Sequence, residues 1–372
     1  MKTIQIGPCG PEVSKIGFGT MGLGGRYEAD NSSDQNSENL LREAIDLGVN
    51  IFDTAEVYAD GHTETILGRA IANCREDVVI ATKFSPANST YDGVIKAAEA
   101  SLKRLCADYI DIYQNHWPSP DVPFDETLSA LVRLVEDGKI RYVGLSNVTA
   151  TEVISYKNKL PESFPLVSVQ QEYNLAERFV EHSLLPTCKA NELALIAYSP
   201  LGQGKLAGAN INNETLSQLS EKYDLNTAQI CLQWVCRQTG VIAIPMTTKT
   251  ENLRLNIGCL DVEIEASDLA LLTEAYAPDI REIPIDEIDV IGSHTGKAYT
   301  SIEDAKNNTL NISPSPVELA RELSSGDMLK PVKVRKSTST SGKYELFEGQ
   351  LRYWAWTIAH DGQRPILAQV AQ

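Results

Sequence analysis

Residues Val78–Lys83 read VVIATK, a run rich in β-branched residues that ends on a lysine. Such a short apolar run is typical of a buried strand. On either side of it, residues 62–74 and 92–105 carry apolar side chains at three- and four-residue spacing, which is typical of amphipathic helices. The stretch therefore predicts one helix–strand–helix unit of an α/β fold.

The same alternation extends in both directions, from residue 16 to about residue 275. Further helices are predicted at 37–47 and 125–137, and Asp125 and Thr149 are candidate N-terminal caps. Eight strand–helix units in succession predict a (β/α)8 barrel, the TIM-barrel fold, whereas an open doubly wound sheet would rarely carry so many regular units. The eight predicted strands are Ile16–Gly19, Val49–Asp53, Val78–Lys83, Tyr109–Tyr113, Tyr142–Leu145, Leu166–Val169, Ala194–Ala197 and Val241–Ile244.

A glycine motif near the N-terminus needs a separate explanation. Residues Gly17–Gly22 match the pattern GxGxxG, which is typical of dinucleotide-binding turns when a helix follows. Here the sequence continues with Leu23, Gly24 and Gly25, so no helix N-terminus is expected to meet a pyrophosphate. We therefore predict that this match is not a cofactor-binding motif.

The composition is that of an ordinary globular protein, with 42% apolar and 22% charged residues in a chain of 372. No apolar run approaches the ~20 residues needed to span a bilayer, and the first residues lack the apolar stretch of a secretory signal. We therefore expect no membrane insertion and a cytoplasmic location. The seven cysteines form no CxxC pair and have no histidine at ligand spacing, which predicts reduced thiols and no metal site. A formal net charge of −17 disfavours nucleic acid as a partner.

The strand–helix alternation ends at Pro278. We therefore predict two domains, a barrel at 1–278 and a smaller α+β module at 279–372. The elements predicted for the module are a helix from Pro316 to Leu323, strands at 331–334 and 344–347, and a helix from about 349 to 360.

Polar side chains stand at the ends of successive predicted strands. Asp53 closes the second strand, Lys83 closes the third and His116 follows the fourth, while Tyr58 lies just beyond Asp53. The carboxyl ends of barrel strands share one rim, so these side chains are expected to lie close together. Reduction of a carbonyl needs a proton donor, and a tyrosine can supply the proton if a cation such as Lys83 lowers its pKa from about 10. Asp53 would keep the lysine charged, and His116 would orient the carbonyl.

Four stretches resemble the aldo-keto reductases, in the order in which that family has them. The resemblance spans about residues 3–278 and implies a (β/α)8 barrel that reduces an aldehyde or ketone with a nicotinamide cofactor. It also implies that Tyr58 is the general acid, supported by Asp53, Lys83 and His116. The four stretches are IFDTAEVY at 51–58, the strand that ends at Lys83, DIYQNHWP at 111–118 and GKIRYVGLSN at 138–147.

The same resemblance implies a cofactor site along the rim. Met246 stands where many family members have a lysine, and Leu255 replaces an acidic residue, but Lys249 supplies a compensating charge for a 2′-phosphate. NADPH is therefore expected, and NADH stays open as an alternative. The implied contacts are Ser146, Asn147 and Gln170 with the carboxamide, Tyr198 against the nicotinamide ring, Ser199, Leu201, Gly202 and Gly204 along the pyrophosphate, and Thr247, Thr248, Lys249, Asn252 and Asn256 around the adenosine phosphate.

The module at 279–372 resembles the ParB/sulfiredoxin superfamily. In that superfamily a Gly-x-x-Arg turn at the start of a helix meets a nucleotide phosphate, and Gly349 and Arg352 take those places here. Gln350 stands where sulfiredoxins have a cysteine, so repair of sulfinic acids is not expected. The module would then hold a nucleotide, or be a structural or regulatory appendage that covers the barrel or forms a contact between copies of the chain.

These patterns lead to one expected function, the NADPH-dependent reduction of a small aldehyde or ketone to an alcohol. Two alternatives stay open: a bifunctional protein whose C-terminal module adds nucleotide-dependent chemistry, and a nicotinamide-binding regulatory sensor. The presence of both Tyr58 and Lys83 favours the enzyme over the sensor.

Overall fold

The chain divides into two structural units, Met1–Tyr276 and Ala277–Gln372. The structure is a computed structural model, and each unit is described by itself. The residues that the structure describes are 1–161, 163–208, 213–290, 298–312, 314–323, 328, 330–338 and 341–371.

The first unit is built on eight parallel strands that pair side by side in chain order. The sheet closes on itself, because Ile16 forms a parallel bridge with Ala243 and the Gly17 N–H donates to the Ala243 carbonyl oxygen at 2.8 Å. The predicted (β/α)8 arrangement is therefore confirmed for this unit. Its strands are the antiparallel hairpin β1 (Thr3–Gln5) and β2 (Glu12–Ser14), followed by β3 (Phe18–Gly19), β4 (Ile51–Asp53), β5 (Val79–Phe84), β6 (Ile110–Asn115), β7 (Ile140–Ser146), β8 (Leu166–Glu172), β9 (Ala194–Tyr198) and β10 (Val241–Ala243).

The barrel interior is filled by branched and small apolar side chains from alternate strand positions, among them Ile51, Ala81 and Ile112. Ile6 and Val13, from the hairpin region, join this cluster and cover the end of the barrel where the strands begin. A second and larger apolar layer lies between the outer face of the strands and the helices. The polar side chains of β4 and β5 are thereby confined to the opposite end, where the strands stop.

Amphipathic helices surround the strands, as their apolar spacing predicts. Thr149 caps a helix in a capping box with Glu152, as expected. The prediction for Asp125 is wrong, because the helix already begins at Phe124, after Pro123, which places Asp125 in its first turn. The helices described in this unit are α1 (Asp34–Asp46), α2 (His62–Ile71), α3 (Tyr91–Leu105), α4 (Phe124–Glu136), α5 (Ala150–Lys159), α6 (Leu184–Ala190), α7 (Glu214–Tyr223), α8 (Thr227–Arg237), α9 (Thr250–Gly258) and α10 (Ala266–Ala275).

Strand packing explains the glycines of the GxGxxG match. A Cβ on Gly17 would lie 2.7 Å from Cγ2 of Ile51, and a Cβ on Gly19 would lie 2.9 Å from the carbonyl oxygen of Ile244. Neither position has room for a side chain where the barrel closes. The first α-helix after the motif starts only at Asp34, so the motif does not open a helix.

The second unit has a five-stranded mixed sheet in the order β11-β15-β13-β14-β12. Its core joins apolar side chains of the strands to the aromatic face of one helix, for example Val332, Leu346 and Trp356. The elements of this unit are β11 (Ile280–Ile283), β12 (Ile288–Val290), α11 (Ile302–Lys306), α12 (Pro316–Glu322), β13 (Val332–Lys336), β14 (Tyr344–Glu348), α13 (Gln350–Ala359) and β15 (Ile366–Val370).

Throughout the part of the chain that the structure describes, in both units, every helix is too short or too polar to span a membrane.

Candidate active site

Four side chains predicted from the sequence lie together where β4, β5 and β6 end. The Lys83 ammonium donates to Oδ2 of Asp53 at 2.7 Å, to the carbonyl oxygen of Thr54 at 2.8 Å and to the Tyr58 hydroxyl oxygen at 3.4 Å. Lys83 and Asp53 are almost completely buried, at 1% and 3% exposure. His116 follows β6, and its ring meets the Tyr58 ring edge to face with the centroids 5.7 Å apart.

The backbone turns sharply directly after Tyr58. Ala59, Asp60 and Gly61 all have left-handed φ angles, of 49°, 52° and 81°. A non-glycine residue in this region costs on the order of 1–3 kcal/mol, so the surroundings must hold the turn in place. One such support is a hydrogen bond of 3.3 Å from the Ala59 N–H to the Arg26 carbonyl oxygen.

Burial and charge act in opposite directions on the Lys83–Tyr58 pair. Burial lowers the pKa of Lys83, but the charge of Asp53, the hydrogen bond to it and the interactions with Tyr58 together raise that pKa by more, so the lysine stays charged. Burial raises the pKa of Tyr58, and the nearby Lys83 charge offsets this only in part. The expectation that Lys83 brings the tyrosine pKa below its usual value is therefore wrong for this structure, because desolvation is the larger effect. The tyrosine consequently keeps its proton at neutral pH.

His116 is neutral over the physiological range. Burial, and then the positive charge of Lys83, lower its pKa from 6.5 to about 3. Its Nδ1 atom is buried and has no hydrogen-bond partner among the residues that the structure describes. The Trp117 ring packs against it with the centroids 4.6 Å apart and is 46% exposed. A neutral imidazole in this position can donate one hydrogen bond to a carbonyl group.

A second polar cluster lies beside the first, at the ends of β7, β8 and β9. The Asn147 side-chain N–H donates to the His116 carbonyl oxygen at 2.8 Å and to the Ser146 hydroxyl oxygen at 3.2 Å, while the Tyr198 hydroxyl donates to Oδ1 of Asn147 at 3.0 Å. Gln170 donates from Nε2 to Oδ1 of Asp53 at 2.7 Å. The structure thus brings the predicted carboxamide contacts next to the Lys83–Asp53 pair.

Two contacts at this rim were not expected from the sequence. One is the Gln170–Asp53 hydrogen bond, which joins side chains 117 positions apart. The other involves Asn115, whose side-chain amide exchanges two hydrogen bonds with the Ser146 backbone, at 3.0 and 3.2 Å. The sequence signal for Asn115 is its position, because it is a polar residue two positions beyond the predicted strand Tyr109–Tyr113 and ends the observed β6.

The loop after β9 is bent at several left-handed residues. Ser199, Gly202 and Gly204 have φ angles of 48°, 57° and 89°. The Gly202 N–H donates to the Ser199 carbonyl oxygen at 2.8 Å, and the Gly204 N–H donates to the Leu201 carbonyl oxygen at 3.0 Å. A Cβ on Gly204 would meet no described atom within 4 Å, so this part of the loop borders open space.

The predicted adenosine-phosphate segment leads from β10 into α9. The Lys249 N–H donates to the Thr247 hydroxyl oxygen at 3.1 Å, which fixes the turn before the helix. Thr247 and Asn256 are buried, while Thr248, Lys249 and Asn252 are exposed. Among the described residues, no cluster of histidine, cysteine or carboxylate side chains has the arrangement of a metal site.

Comparison with known protein families decides the identification. The aldo/keto reductase family matches residues 15–277 of the chain. This chain belongs to the aldo/keto reductase family. It is an NAD(P)H-dependent oxidoreductase that acts on a carbonyl or CH–OH group.

Known aldo/keto reductases resemble this one in sequence and in structure. The methylglyoxal reductase YeaE of Escherichia coli is 35% identical over 263 residues, which is 70% of this chain and 92% of that protein. A thermostable aldo-keto reductase, solved with the inhibitor epalrestat, is 35% identical with a TM-score of 0.70, covering 74% of this chain and 100% of that one. An aldo/keto reductase from Klebsiella pneumoniae, solved with NADP and acetate, is 35% identical with a TM-score of 0.68, covering 74% and 95%.

Apart from its first residue, Ala277, the second unit of this aldo/keto reductase lies outside the family match. Gly349 precedes α13 with a φ of 94°. A Cβ on Gly349 would lie 2.8 Å from Nη2 of Arg352, and this same nitrogen donates to the Pro331 carbonyl oxygen at 3.3 Å. The Arg352 guanidinium is therefore folded back over the start of its own helix.

Proposed function

We propose that this aldo/keto reductase uses NADPH to reduce a small aldehyde or ketone to an alcohol, with Tyr58 as the general acid. The observation that carries the proposal is the chain of hydrogen bonds from Tyr58 through Lys83 to Asp53, beside a neutral His116. A proton donor, a cation and a carboxylate in this order supply what the reduction of a carbonyl requires from the protein.

Each of the four residues would have a separate task. Tyr58 would give its hydroxyl proton to the carbonyl oxygen of the substrate, and its raised pKa keeps that proton in place until then. The Lys83 ammonium would stabilise the phenolate that remains, and Asp53 keeps Lys83 charged. His116 would donate a hydrogen bond that orients the carbonyl group.

The donor set at the ends of β7, β8 and β9 fits a nicotinamide group. A primary carboxamide both donates and accepts hydrogen bonds, and Ser146, Asn147 and Gln170 offer donors and acceptors within one cluster. Tyr198 would stack on the ring, and the loop 199–204 would lie along the pyrophosphate. When bound, the cofactor supplies the hydride that goes to the carbonyl carbon.

NADPH is the proposed cofactor in preference to NADH. Lys249 is exposed at the start of α9, and the preceding Thr248 is exposed as well, so a cation and a hydroxyl group are available for a 2′-phosphate. The buried Thr247 would support them, because its hydroxyl oxygen accepts from the Lys249 N–H at 3.1 Å. The Klebsiella pneumoniae relative was solved with NADP, which supports the same choice. Because Met246 stands where many family members have a lysine, Lys249 would have to neutralise more of the negative charge of the 2′-phosphate.

Steady-state kinetics test the proposal. NADPH and NADH oxidation would be followed against a panel of small aldehydes and ketones, including methylglyoxal because of the relative that carries this name. We expect turnover with NADPH on at least one carbonyl. Tight binding of NADPH without turnover on any of them would instead support the regulatory sensor.

We further propose that residues 279–372 form a ParB/sulfiredoxin-like domain that holds a nucleotide or forms a contact between copies of the chain. The proposed location of the protein is the cytoplasm. A nucleotide at Gly349 and Arg352 would have to displace the guanidinium from the Pro331 carbonyl oxygen. Calorimetry of the full chain with ATP, ADP and CTP, compared with Arg352→Ala, tests that site. Equal heats of nucleotide binding for the wild type and Arg352→Ala would rule out a nucleotide site at Gly349 and Arg352.

A further inference from the structure

An ion pair with one fully buried partner, Glu64, lies on the outer side of the barrel wall, near Tyr58 and Lys83. Glu64, in the first turn of α2, is fully buried, and its Oε2 accepts from Nε of Arg104 at 2.6 Å. Arg104 lies near the end of α3, and its Nη2 also donates to the Ser101 hydroxyl oxygen at 3.1 Å. Burying a carboxylate without partners destabilises the folded state, so the hydrogen bonds from its neighbours must hold Glu64 in one position.

The guanidinium of this pair touches the turn that follows Tyr58. A Cβ on Gly61 would lie 2.7 Å from both Cδ and Nε of Arg104, so the arginine side chain packs against the backbone of Gly61 itself. Gly61 is the last of the three left-handed residues after Tyr58, and α2 begins at the next residue. Arg104 therefore contacts the strained turn at its far end.

The carboxylate of the same pair holds the strand that carries Lys83. The Thr82 hydroxyl donates to Oε1 of Glu64 at 2.6 Å, and both side chains are fully buried. Thr82 precedes Lys83 in β5, and because strand side chains alternate, it faces the helices while Lys83 faces the barrel interior. One carboxylate thus connects the turn of Tyr58 with the strand of Lys83.

We propose that Glu64, Arg104 and Thr82 are positioning residues that set the separation between the Tyr58 hydroxyl and the Lys83 ammonium. This inference rests on the proposed role of Tyr58 as general acid. The separation of 3.4 Å is at the long end of a hydrogen bond, so a small displacement of the turn would remove it. The turn has unfavourable backbone angles, and such angles persist only where neighbouring groups hold them.

The test compares Thr82→Val with Thr82→Ser, and Arg104→Lys with Arg75→Lys. Valine keeps the shape of threonine but loses the hydroxyl, whereas serine keeps the hydroxyl. Arg75 is the matched control, because it forms a buried ion pair with Asp111 at 2.7 Å but bonds the Val78 and Tyr109 carbonyl oxygens, where β5 and β6 begin. Turnover, Michaelis constants, melting temperature and the pH profile would be measured for each variant.

We expect Thr82→Val and Arg104→Lys to lower kcat by roughly ten- to a hundredfold, the effect of a displacement of about 1 Å, while KM for NADPH changes less than about twofold. The alkaline limb of the kcat profile should move to higher pH, because Lys83 then lowers the pKa of Tyr58 less. The other ionisable groups around Tyr58, namely Asp53, His116 and Tyr198, are unchanged in these variants. Thr82→Ser should have the kcat that Thr82→Val loses. Arg75→Lys should keep the wild-type kcat even if its melting temperature falls as much as that of Arg104→Lys.

Tyr58→Phe separates this inference from the proposed function. If Tyr58→Phe keeps full turnover, Tyr58 is not the general acid, and both the proposed function of Tyr58 and the positioning proposal are refuted. If Tyr58→Phe is inactive while Thr82→Val and Arg104→Lys keep the wild-type kcat and pH profile, only the positioning proposal is refuted. An equal loss of kcat in Arg75→Lys would also refute it. Arg104 is partly exposed, so its variant gives an answer even if Thr82→Val fails to fold.

Discussion

Replacing Asp53 with asparagine tests whether one carboxylate keeps the buried lysine charged. Asparagine retains the size of the side chain but removes the charge that lies 2.7 Å from Nζ of Lys83. The Lys83 side chain is 1% exposed, so water cannot replace the lost partner. Breaking a buried ion pair on one side costs about 3–5 kcal/mol, and we expect a decrease of this size in the free energy of unfolding at pH 7.

The pH dependence of this loss gives a sharper test. In the wild type, the pKa of Lys83 is raised above 10.5, so its contribution to stability is complete below pH 10.5 and disappears as the pH rises through the folded-state pKa. In Asp53→Asn, burial acts without the opposing charge and lowers that pKa. Between this lowered folded-state pKa and pH 10.5, the unfolded variant binds more protons than the folded one, so its stability rises with pH. The difference from the wild type should shrink by about 1.4 kcal/mol per pH unit over this window.

Urea unfolding at pH 7 and pH 10, followed by circular dichroism, measures this change. Asp111→Asn is the control, because it removes the carboxylate partner of an arginine, and a guanidinium, unlike an ammonium, stays charged in proteins. Its loss of stability should therefore be the same at both pH values. A loss in Asp53→Asn that does not depend on pH would refute the argument that Asp53 sets the charge of Lys83.

Two further predictions concern His116 and Lys249. The pKa of His116 is about 3 in the folded state, so the unfolded chain binds an extra proton between pH 6.5 and about 3. Over this window the wild type should lose about 1.4 kcal/mol of stability per pH unit on acidification, a loss that His116→Gln should not show. Equal acid unfolding curves would contradict this. Lys249→Met should raise KM for NADPH by about ten- to a hundredfold, because it removes a hydrogen bond to a charged group, and it should leave KM for NADH unchanged. Parallel changes in KM for both cofactors would exclude a contact between Lys249 and the 2′-phosphate.

The barrel was predictable because its signal repeats. The short β-branched run that ends at Lys83 is one of eight, and alternating helices of regular spacing leave few other folds. The polar residues at the strand ends could be placed on one rim for the same reason. The second unit has no such repetition, and strands β11, β12 and β15 were not predicted, because short strands without regular alternation resemble loops in sequence.

The details of the site depend on distances that sequence spacing does not fix. The direction of the Tyr58 pKa follows from the balance between desolvation and the charge of Lys83, and this balance is decided by burial. The contact between Gln170 and Asp53 depends on the register of β8 relative to β4 across the barrel. Asp125 was misplaced as a cap because Pro123 can precede a helix as well as end one.

The most direct test of the central claim is NADPH oxidation by the wild type and by Tyr58→Phe on the same carbonyl substrate, with NADPH affinity measured in parallel. If Tyr58 is the general acid, the variant should bind NADPH as tightly as the wild type and lose roughly 10²- to 10⁴-fold in turnover. Wild-type turnover in the variant, at the same NADPH affinity, would show that another group supplies the proton.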